Sequence, residues 1–384
     1  MPSLVSMGRS SLPASIVLAL CCVLAPPVAG AGEGSHALPD LLDLPARADV
    51  RAQAGTQLAI ARAGRRLVSV GVRGTVMLSD DDGRSWRQAR AVPVSVALTG
   101  VHFTSPEEGW AVGHSGVVLH SADGGESWAR QLDGREAARI VLEDARARVA
   151  AGDTSDAAAR ALRDAERLVE DGPDKPLLGV HFSDARHGWV VGAYGLALST
   201  RDGGERWRSL VGHIPNPRGN HLYSVHADGD VLLIAGEQGA LFRSVDGGNR
   251  FEAIETPYEG TFFGALALDG GALLAYGLRG NAWRSDERIA AWTQVALGLP
   301  VTLVGAQRLA DGSIVLADES GRLLRSTDGA HSFAALSAGA ATGLSGFVQA
   351  ADGALVVSGA RGVARLEPPV RLARSAHAST EAGR

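Results

Sequence analysis

Two sets of side chains recur at equivalent places along this chain, and each could do chemistry if folding brought its members together. Arg73, Arg279 and Arg361 stand directly before the second glycine of a short turn, and Ser115, Tyr194, Gln238 and Ser320 hold the same position in other copies. A guanidinium is a planar fork matched to carboxylate and phosphate. Three of them on one surface would recognise an anionic or carboxylate-bearing partner, the plainer alternative being solvated turn tips. His114 sits one residue before Ser115 and joins the same candidate surface. The second set is His102, His181 and His226, each at the same point of an apolar segment. Converging imidazoles can bind Zn²⁺, but a repeated residue can equally pack or bond between neighbouring units, and that reading is preferred. No cofactor or metal is expected.

The elements that must position these groups are repeats. The second glycine of the turn falls at Gly74, Gly116, Gly195, Gly239, Gly280, Gly321 and Gly362, at intervals of 42, 79, 44, 41, 41 and 41 residues. Seven marks with one long gap imply seven units of short alternating strands, which is the pattern of a β-propeller. Each unit also carries Ser/Thr-x-Asp-x-Gly-x-x-Trp/Phe. Four copies are clean: Ser79-Asp81-Gly83-Trp86, Ser121-Asp123-Gly125-Trp128, Thr200-Asp202-Gly204-Trp207 and Ser244-Asp246-Gly248-Phe251. Ser326-Asp328-Phe333 has Ala330 at the glycine position, and Ser285-Asp286 followed by Trp292 is a decayed sixth. Hydroxyl and carboxylate in such a turn satisfy loop N–H groups, so a fold-stabilising role is expected.

These octapeptides resemble the Asp boxes of sialidase-type propellers. Joined to Gly109-Trp110-Ala111-Val112-Gly113 and the following glycine turn, they resemble more narrowly the photosystem II stability/assembly factor family. The resemblance is clearest over residues 99–128 and 178–207 and extends weakly over 57–366. It implies a seven-bladed propeller without enzymatic activity, an arginine-rich recognition patch, and binding that assists assembly of a membrane protein complex. Members also occur in bacteria without photosynthesis, where an envelope transporter is the expected partner.

A net charge of −5 and the lack of a basic tract argue against nucleic-acid binding. Arg9, the apolar residues 12–24 and the small residues Val28 to Ala31 read as a signal peptide over residues 1–31. Cys21 and Cys22, the only cysteines, would leave with it, and Leu20 does not suit a lipid-modified cysteine. A periplasmic or secreted monomer is expected, in the thylakoid lumen or periplasm of a phototroph. Residues 32–56 form an N-terminal segment, 57–374 the propeller and 375–384 a disordered tail. Blade seven lacks an Asp box at Pro368-Pro369, so its outer strand should come from residues 41–50 or from 370–374.

The long gap holds a helical hairpin over residues 135–172, read from amphipathic spacing in 136–150 and 156–169, Ser155 as an N-cap, and Gly152, Gly172 and Pro173 as stops. It belongs to a connection between blades, on the rim of the glycine turns, and is expected to border or cover the central opening unless it is a tolerated insertion. Asp144 and Arg148 are spaced to pair on its outer face. The irregular loop from His213 to His221, with Arg218, could complete a site with Tyr258, Phe262 and Phe263. A glycoside hydrolase is the competing class. Tyr258-Glu259 is the one adjacent Tyr/Glu pair, and most tryptophans belong to the repeat rather than to a sugar groove.

Overall fold

The computed structural model describes residues 39–337 and 343–366. Seven antiparallel sheets follow one another along the chain, and within each sheet every strand pairs with its sequence neighbour. Six sheets have four strands and the seventh has three among the described residues. Their first strands, Gln57–Ala63, Leu98–Phe103, Leu177–Phe182, Leu222–Asp228, Phe262–Ala267, Leu303–Arg308 and Leu344–Gln349, lie side by side, the last beside the first. The result is a closed seven-bladed β-propeller. Second strands such as Gly109–Gly113 and Gly188–Gly192 are buried along their whole length. Being sandwiched between blades, they are continuous apolar runs rather than alternating ones.

Each Asp box closes the turn between third and fourth strands by one scheme. In blade two, Ser121 Oγ donates to Asp123 Oδ1 (2.9 Å) and accepts from the Gly125 N–H (2.9 Å). Asp123 then accepts from the Ser127 N–H (2.9 Å) and hydroxyl (2.6 Å), while the Trp128 indole donates to the Gly125 carbonyl (2.9 Å). The Ser/Thr-to-Asp bond and the N–H donation back to the Ser/Thr hydroxyl recur at Ser79 and Asp81, Thr200 and Asp202, Ser244 and Asp246, and Ser326 and Asp328. Ala330 takes the glycine role at φ 67°. In the decayed copy Asp286 Oδ1 still accepts from the Ala290 and Ala291 N–H groups (2.7 and 3.2 Å), while Ser285 Oγ turns to the Leu273 N–H (2.8 Å).

The tip of the box also clasps the preceding blade. The carbonyl between Asp and Gly accepts from Arg365 at Asp82 (2.7 Å), from Arg66 at Gly124 (3.1 Å) and from Arg284 at Gly329 (2.9 Å). At Gly203 it accepts from both Trp110 (3.2 Å) and Gln131 (2.9 Å). One turn therefore serves both hairpin closure and blade-to-blade docking.

Residues 41–50 do not form the outer strand of blade seven. They dock on blades one and two: the Ala46 N–H donates to the Val92 carbonyl (2.9 Å), and the Ser95 N–H donates to the Leu41 carbonyl (2.8 Å). The reason is apolar, since Leu42, 1% exposed, is seated among Val92, Val94 and Leu98. The N-terminal segment meets blade seven through Thr56, whose hydroxyl donates to the Ala360 carbonyl (3.3 Å), and through Ala52–Ala54, packed so closely on Gly362 that a Cβ there would stand 1.9 Å from the Gln53 carbonyl oxygen. Blades seven and one join through side chains: Ser345 Oγ donates to the Gln57 carbonyl (2.7 Å) and Arg84 pairs with Asp352 (2.8 Å). The leader over residues 1–31, the alternative strand at 370–374 and the tail at 375–384 lie outside the described residues.

The hairpin consists of α1 (Gly134–Ala150) and α2 (Asp156–Asp171). Ser155 caps α2 as expected, and Asp133 caps α1 by accepting from the Arg135 and Glu136 N–H groups. Asp144 and Arg148 do not pair; Arg148 reaches Asp153 (3.5 Å) and Asp144 faces His213 (3.9 Å). Nor does the hairpin cover the opening. Ala137, Val141, Leu142 and Ala145 of α1 join a core with Leu132, Leu196 and Trp207, and α1 lies against the outer strand Arg208–Ser209 and the turn His114–Gly116. An apolar helix face settles where apolar surface is offered, and here that is the outer edge of blade three.

Two outcomes follow from this packing. Asp123→Ala removes the acceptor of three loop bonds and should lower unfolding stability by roughly 1 to 3 kcal/mol, read by chemical denaturation; an unchanged midpoint would refute the structural role of the box. Deleting residues 135–172 should lower the melting temperature, because Leu132, Leu196 and Trp207 lose their cover. A deletion that melts like the parent would show the helices to be an independent appendage.

Candidate partner-binding rim

The glycine turns and the connections between blades share one rim, opposite the Asp boxes. Backbone contacts show it directly: the Gly74 N–H donates to Val96 (2.7 Å) and the Gly239 N–H to Gly260 (2.7 Å), each on the following connection. At five of these turns the residue before the marker glycine is itself left-handed. Arg73, Ser115, Tyr194, Gln238 and Arg279 have φ of 56°, 57°, 56°, 54° and 56°, each followed by a positive-φ glycine. Two left-handed residues in succession make the primed turn that a twisted hairpin needs. A non-glycine residue there costs about 1 kcal/mol or more. Blade six departs from the pattern because Asp318 accepts from the N–H and hydroxyl of Ser320 (3.0 and 2.7 Å) and from Arg322 Nε (2.6 Å).

The site residues expected from sequence are distributed around this rim. Arg73, Arg279 and Arg361 are exposed, and among the described residues their guanidinium groups have no hydrogen-bond or ion-pair partner. Arg47 and Arg51, in the segment packed beside the turns of blades one and seven, are equally free. On the Asp-box rim several arginines are engaged, Arg66 with Asp80 (2.6 Å) and Glu126 (3.1 Å), Arg365 with Asp352 (2.8 Å) and Arg308 with Asp269 (3.1 Å). Arg206, Arg250 and Arg288 at the box turns are exposed and have no hydrogen-bond or ion-pair partner for their guanidinium groups among the described residues. His114 is exposed on the blade-two turn.

Tyr194, Gln238 and Arg218 come together in blades three and four. Arg218 donates to Gln238 (2.8 Å), and Lys175 lies 5.2 Å from the centre of the Tyr194 ring, itself 65% exposed. From Tyr194 a continuous run of rings crosses the rim: 4.8 Å to His221, 6.4 Å on to Tyr223, and 4.9 Å to Phe263. Glu237 holds this run in place, accepting from the His221 N–H (2.9 Å), His221 Nδ1 (2.8 Å) and the Tyr223 hydroxyl (3.5 Å). Burial opposes the ionised Glu237, but its bonds to His221 outweigh that and keep the carboxyl below its usual range. The loop from His213 to His221 is anchored by buried Ile214 and by Asn216, which bonds Asn220 in both directions (2.9 and 3.1 Å).

Tyr223 and Glu237 were not among the residues expected from sequence. Their signal is a β-bulge: in all seven blades the pairing register breaks after the first residue of the first strand, displacing Leu58, Thr99, Leu178, Tyr223, Phe263, Val304 and Ser345 at the channel mouth. Thr99 and Ser345 use that place to bond the next blade's first carbonyl (2.6 and 2.7 Å), whereas Tyr223 and Phe263 put rings there. Phe262, one residue earlier, is wholly buried and unavailable to a ligand, and Tyr258 packs on Phe262 and donates to the Leu278 carbonyl (3.2 Å).

His102, His181 and His226 do stack along the channel, with ring centres 4.3 and 5.0 Å apart. Their arrangement is that of inter-blade tethers: His102 Nε2 donates to the Phe182 carbonyl of the next blade (2.9 Å). Among the described residues no group of three potential ligands is disposed to hold a metal. Burial pushes His102 down to about 4, and burial with its histidine neighbours depresses His181 further, so the stack is neutral at physiological pH.

Seven blades closed by Asp-box turns define the class of fold, a β-propeller with exposed arginines and a run of rings on one rim. The family profile described as photosynthesis system II assembly factor YCF48 matches residues 52–137 and 163–273, together just over half of the chain. The chain belongs to that family. A photosystem II assembly lipoprotein Ycf48 of Synechococcus sp. (strain CC9902) is 35% identical over 74 residues, covering 19% of this chain and 22% of the relative. The chain thus aligns with only about a fifth of the length of the curated relatives it matches. Among solved structures, YCF48 bound to a D1 peptide superposes with TM-score 0.57 at 17% identity, covering 81% of this chain and 92% of that one. YCF48 from Cyanidioschyzon merolae gives 0.58 at 16% identity over 83% and 96%. A Niastella koreensis GH74 enzyme reaches 0.57 at 12% identity over 81% of this chain and 52% of its own, a likeness of fold.

The neutral histidine stack has a measurable pH signature. These imidazoles protonate near 6.5 when unfolded and far lower when folded, so the unfolded chain binds more protons between those values. Their contribution to stability is complete above about pH 6.5 and is lost as pH falls towards about 4. The Asp boxes add a second loss lower down, since the Ser85 hydroxyl and N–H hold Asp81 at about 2. In urea titrations across pH, His102→Gln, which keeps an N–H donor without titrating, should flatten the upper window by roughly 1 to 3 kcal/mol. An unaltered pH profile would remove the histidines from the account.

Proposed function

We propose that this protein is an exported, non-enzymatic assembly factor that holds a segment of a membrane protein against the glycine-turn rim. The observation that carries this reading is the pairing of five unengaged arginines with a run of four rings at the channel mouth. Free guanidiniums offer charge-assisted bonds to carboxylates, and the rings offer desolvated surface that accommodates an extended peptide. The D1 peptide bound by the structural neighbour and the assembly names of the curated relatives support it. In a phototroph the client is a photosystem II subunit; elsewhere it is another membrane complex, such as an envelope transporter. Glu237 is committed to His221 and Asp318 to Arg322, and Tyr258, the neighbour of exposed Glu259, is tied to the Leu278 carbonyl, which favours binding over hydrolysis. Export is read from Arg9, the apolar residues 12–24 and the small residues that follow, and the protein acts as a monomer in the periplasm or lumen without nucleic acid.

Fluorescence anisotropy of a labelled D1 peptide tests this. Arg73→Ala, Arg279→Ala and Arg361→Ala together should weaken binding at least tenfold and reduce its dependence on salt, because exposed charge contacts are screened. Tyr223→Ala with Phe263→Ala should weaken it without changing that dependence. Binding that survives both sets, on protein with an unchanged melting temperature, would exclude this rim.

A further inference from the structure

The opposite rim carries a feature that the assembly role does not use. Four successive blades place an arginine on the third strand, paired in register with the second: Arg243, Arg284, Arg325 and Arg365. In blades six and seven this arginine is neutralised within its own blade. Arg325 pairs with Asp311 and Arg365 with Asp352 (2.8 Å), both aspartates lying three residues before the second strand. Blade five has Gly270 at that place, so Arg284 lacks the carboxylate. Its hydrogen bonds run to backbone carbonyls alone, those of Gly329 (2.9 Å) and Ser285 (3.0 Å).

A second carboxylate is also missing. Where blade seven meets blade one, the residue whose carbonyl receives the arginine is Asp82, and its side chain accepts from the Ala351 N–H (3.0 Å). Where blade five meets blade six the equivalent residue is Gly329, at φ +69°, with nothing within 4 Å of where a Cβ would stand. Gly329 borders a cavity of about 340 Å³ lined by Arg284, Arg308 and Arg325 with Ser313, Thr327, Asp269 and Asp311, while Gly270 lies outside that lining and is covered by the Glu287 side chain. Arg308 is held by Asp269 (3.1 Å), a carboxylate that is 94% exposed and free to swing away. Three guanidiniums therefore face two carboxylates.

We propose that this cavity between blades five and six binds a small oxyanion, the phosphate or carboxylate group of a soluble ligand, held by Arg284 and Arg308. The bound anion takes the place that the Asp82 side chain fills at the equivalent junction. It would fasten blade five to the box of blade six that clasps it, independently of the partner-binding rim.

The test uses the full mature chain, with melting temperature and calorimetric titration read in inorganic phosphate and, separately, in citrate, against sodium chloride at matched ionic strength. Saturable stabilisation by either is expected, phosphate alone indicating a tetrahedral ligand and citrate alone a carboxylate. Arg284→Gln should abolish the response. Gly329→Asp restores the carboxylate that blade one carries at Asp82, so it should raise the melting temperature without ligand and remove the increment from added anion. This second variant decides the matter if Arg284→Gln fails to fold. Responses no larger than those to chloride, or an undiminished response in either variant, would overturn the proposal.

Discussion

Everything in this molecule rests on how the Asp-box turn spends its polar groups. A turn between two short strands leaves N–H and C=O groups without ladder partners, and leaving them buried and unpaired costs about 1 to 3 kcal/mol each. The Ser/Thr hydroxyl and the Asp carboxylate absorb the donors, as at Ser121 and Asp123. The remaining carbonyl is turned outward, where Arg66, Arg284, Arg365 or the pair Trp110 and Gln131 can donate to it. At the four junctions where such a clasp is made the donor comes from the preceding blade, so satisfying a local turn also helps set the angle at which those blades meet. The ring itself closes through the first strands, the last of which lies beside the first.

This arrangement divides the two rims chemically. The Asp-box rim pairs its charge across two junctions, through Arg66, Asp80, Arg87 and Glu126 between blades one and two and through Arg84 and Asp352 between seven and one. The other rim is built from primed turns and long connections, whose backbone bonds are made with each other. Side chains at those tips are not needed for closure. Arg73, Tyr194 and Arg279 can therefore hold left-handed conformations that only glycine adopts without strain, because the two strands leaving each turn are fixed by burial of the second strand. Five of the eight left-handed non-glycine residues among the described ones stand at these tips, and the other three, Asp82, Ile289 and Ala330, at box turns.

How much of this was legible in the sequence follows from the range of each interaction. The repeat, the Asp boxes and the helical hairpin are written in residues a few positions apart, and the glycine marks count the blades. The ring of bulged residues was not legible, because a bulge is a property of pairing: nothing in Phe262-Phe263 says which ring is buried and which faces the mouth. Glu237 was hidden for a related reason, since its partners His221 and Tyr223 lie on another strand. Residues 41–50 misled because an apolar, strand-like composition specifies burial but not a partner, and Leu42 found its pocket against blades one and two. The hairpin's position on the chain correctly marked its rim, yet the apolar stripe of α1 decided that it would lean outward.

The departures from the repeat cluster in blade five and in the neighbour it docks on. Ser285-Asp286 replaces the clean box, Gly270 replaces the turn aspartate, and Ala330 and Gly329 alter the box of blade six. A junction assembled from so many departures should be the weakest in the ring, yet Asp286 still collects two loop N–H groups and Arg284 still reaches the Gly329 carbonyl. What has been lost is negative charge rather than geometry. Backbone clasps hold the two blades in place while the balance of arginine over carboxylate is left open at their shared surface. A repeat protein can tolerate that imbalance at one junction because the six others carry the closure of the ring, which makes a worn repeat a natural place for a site to arise.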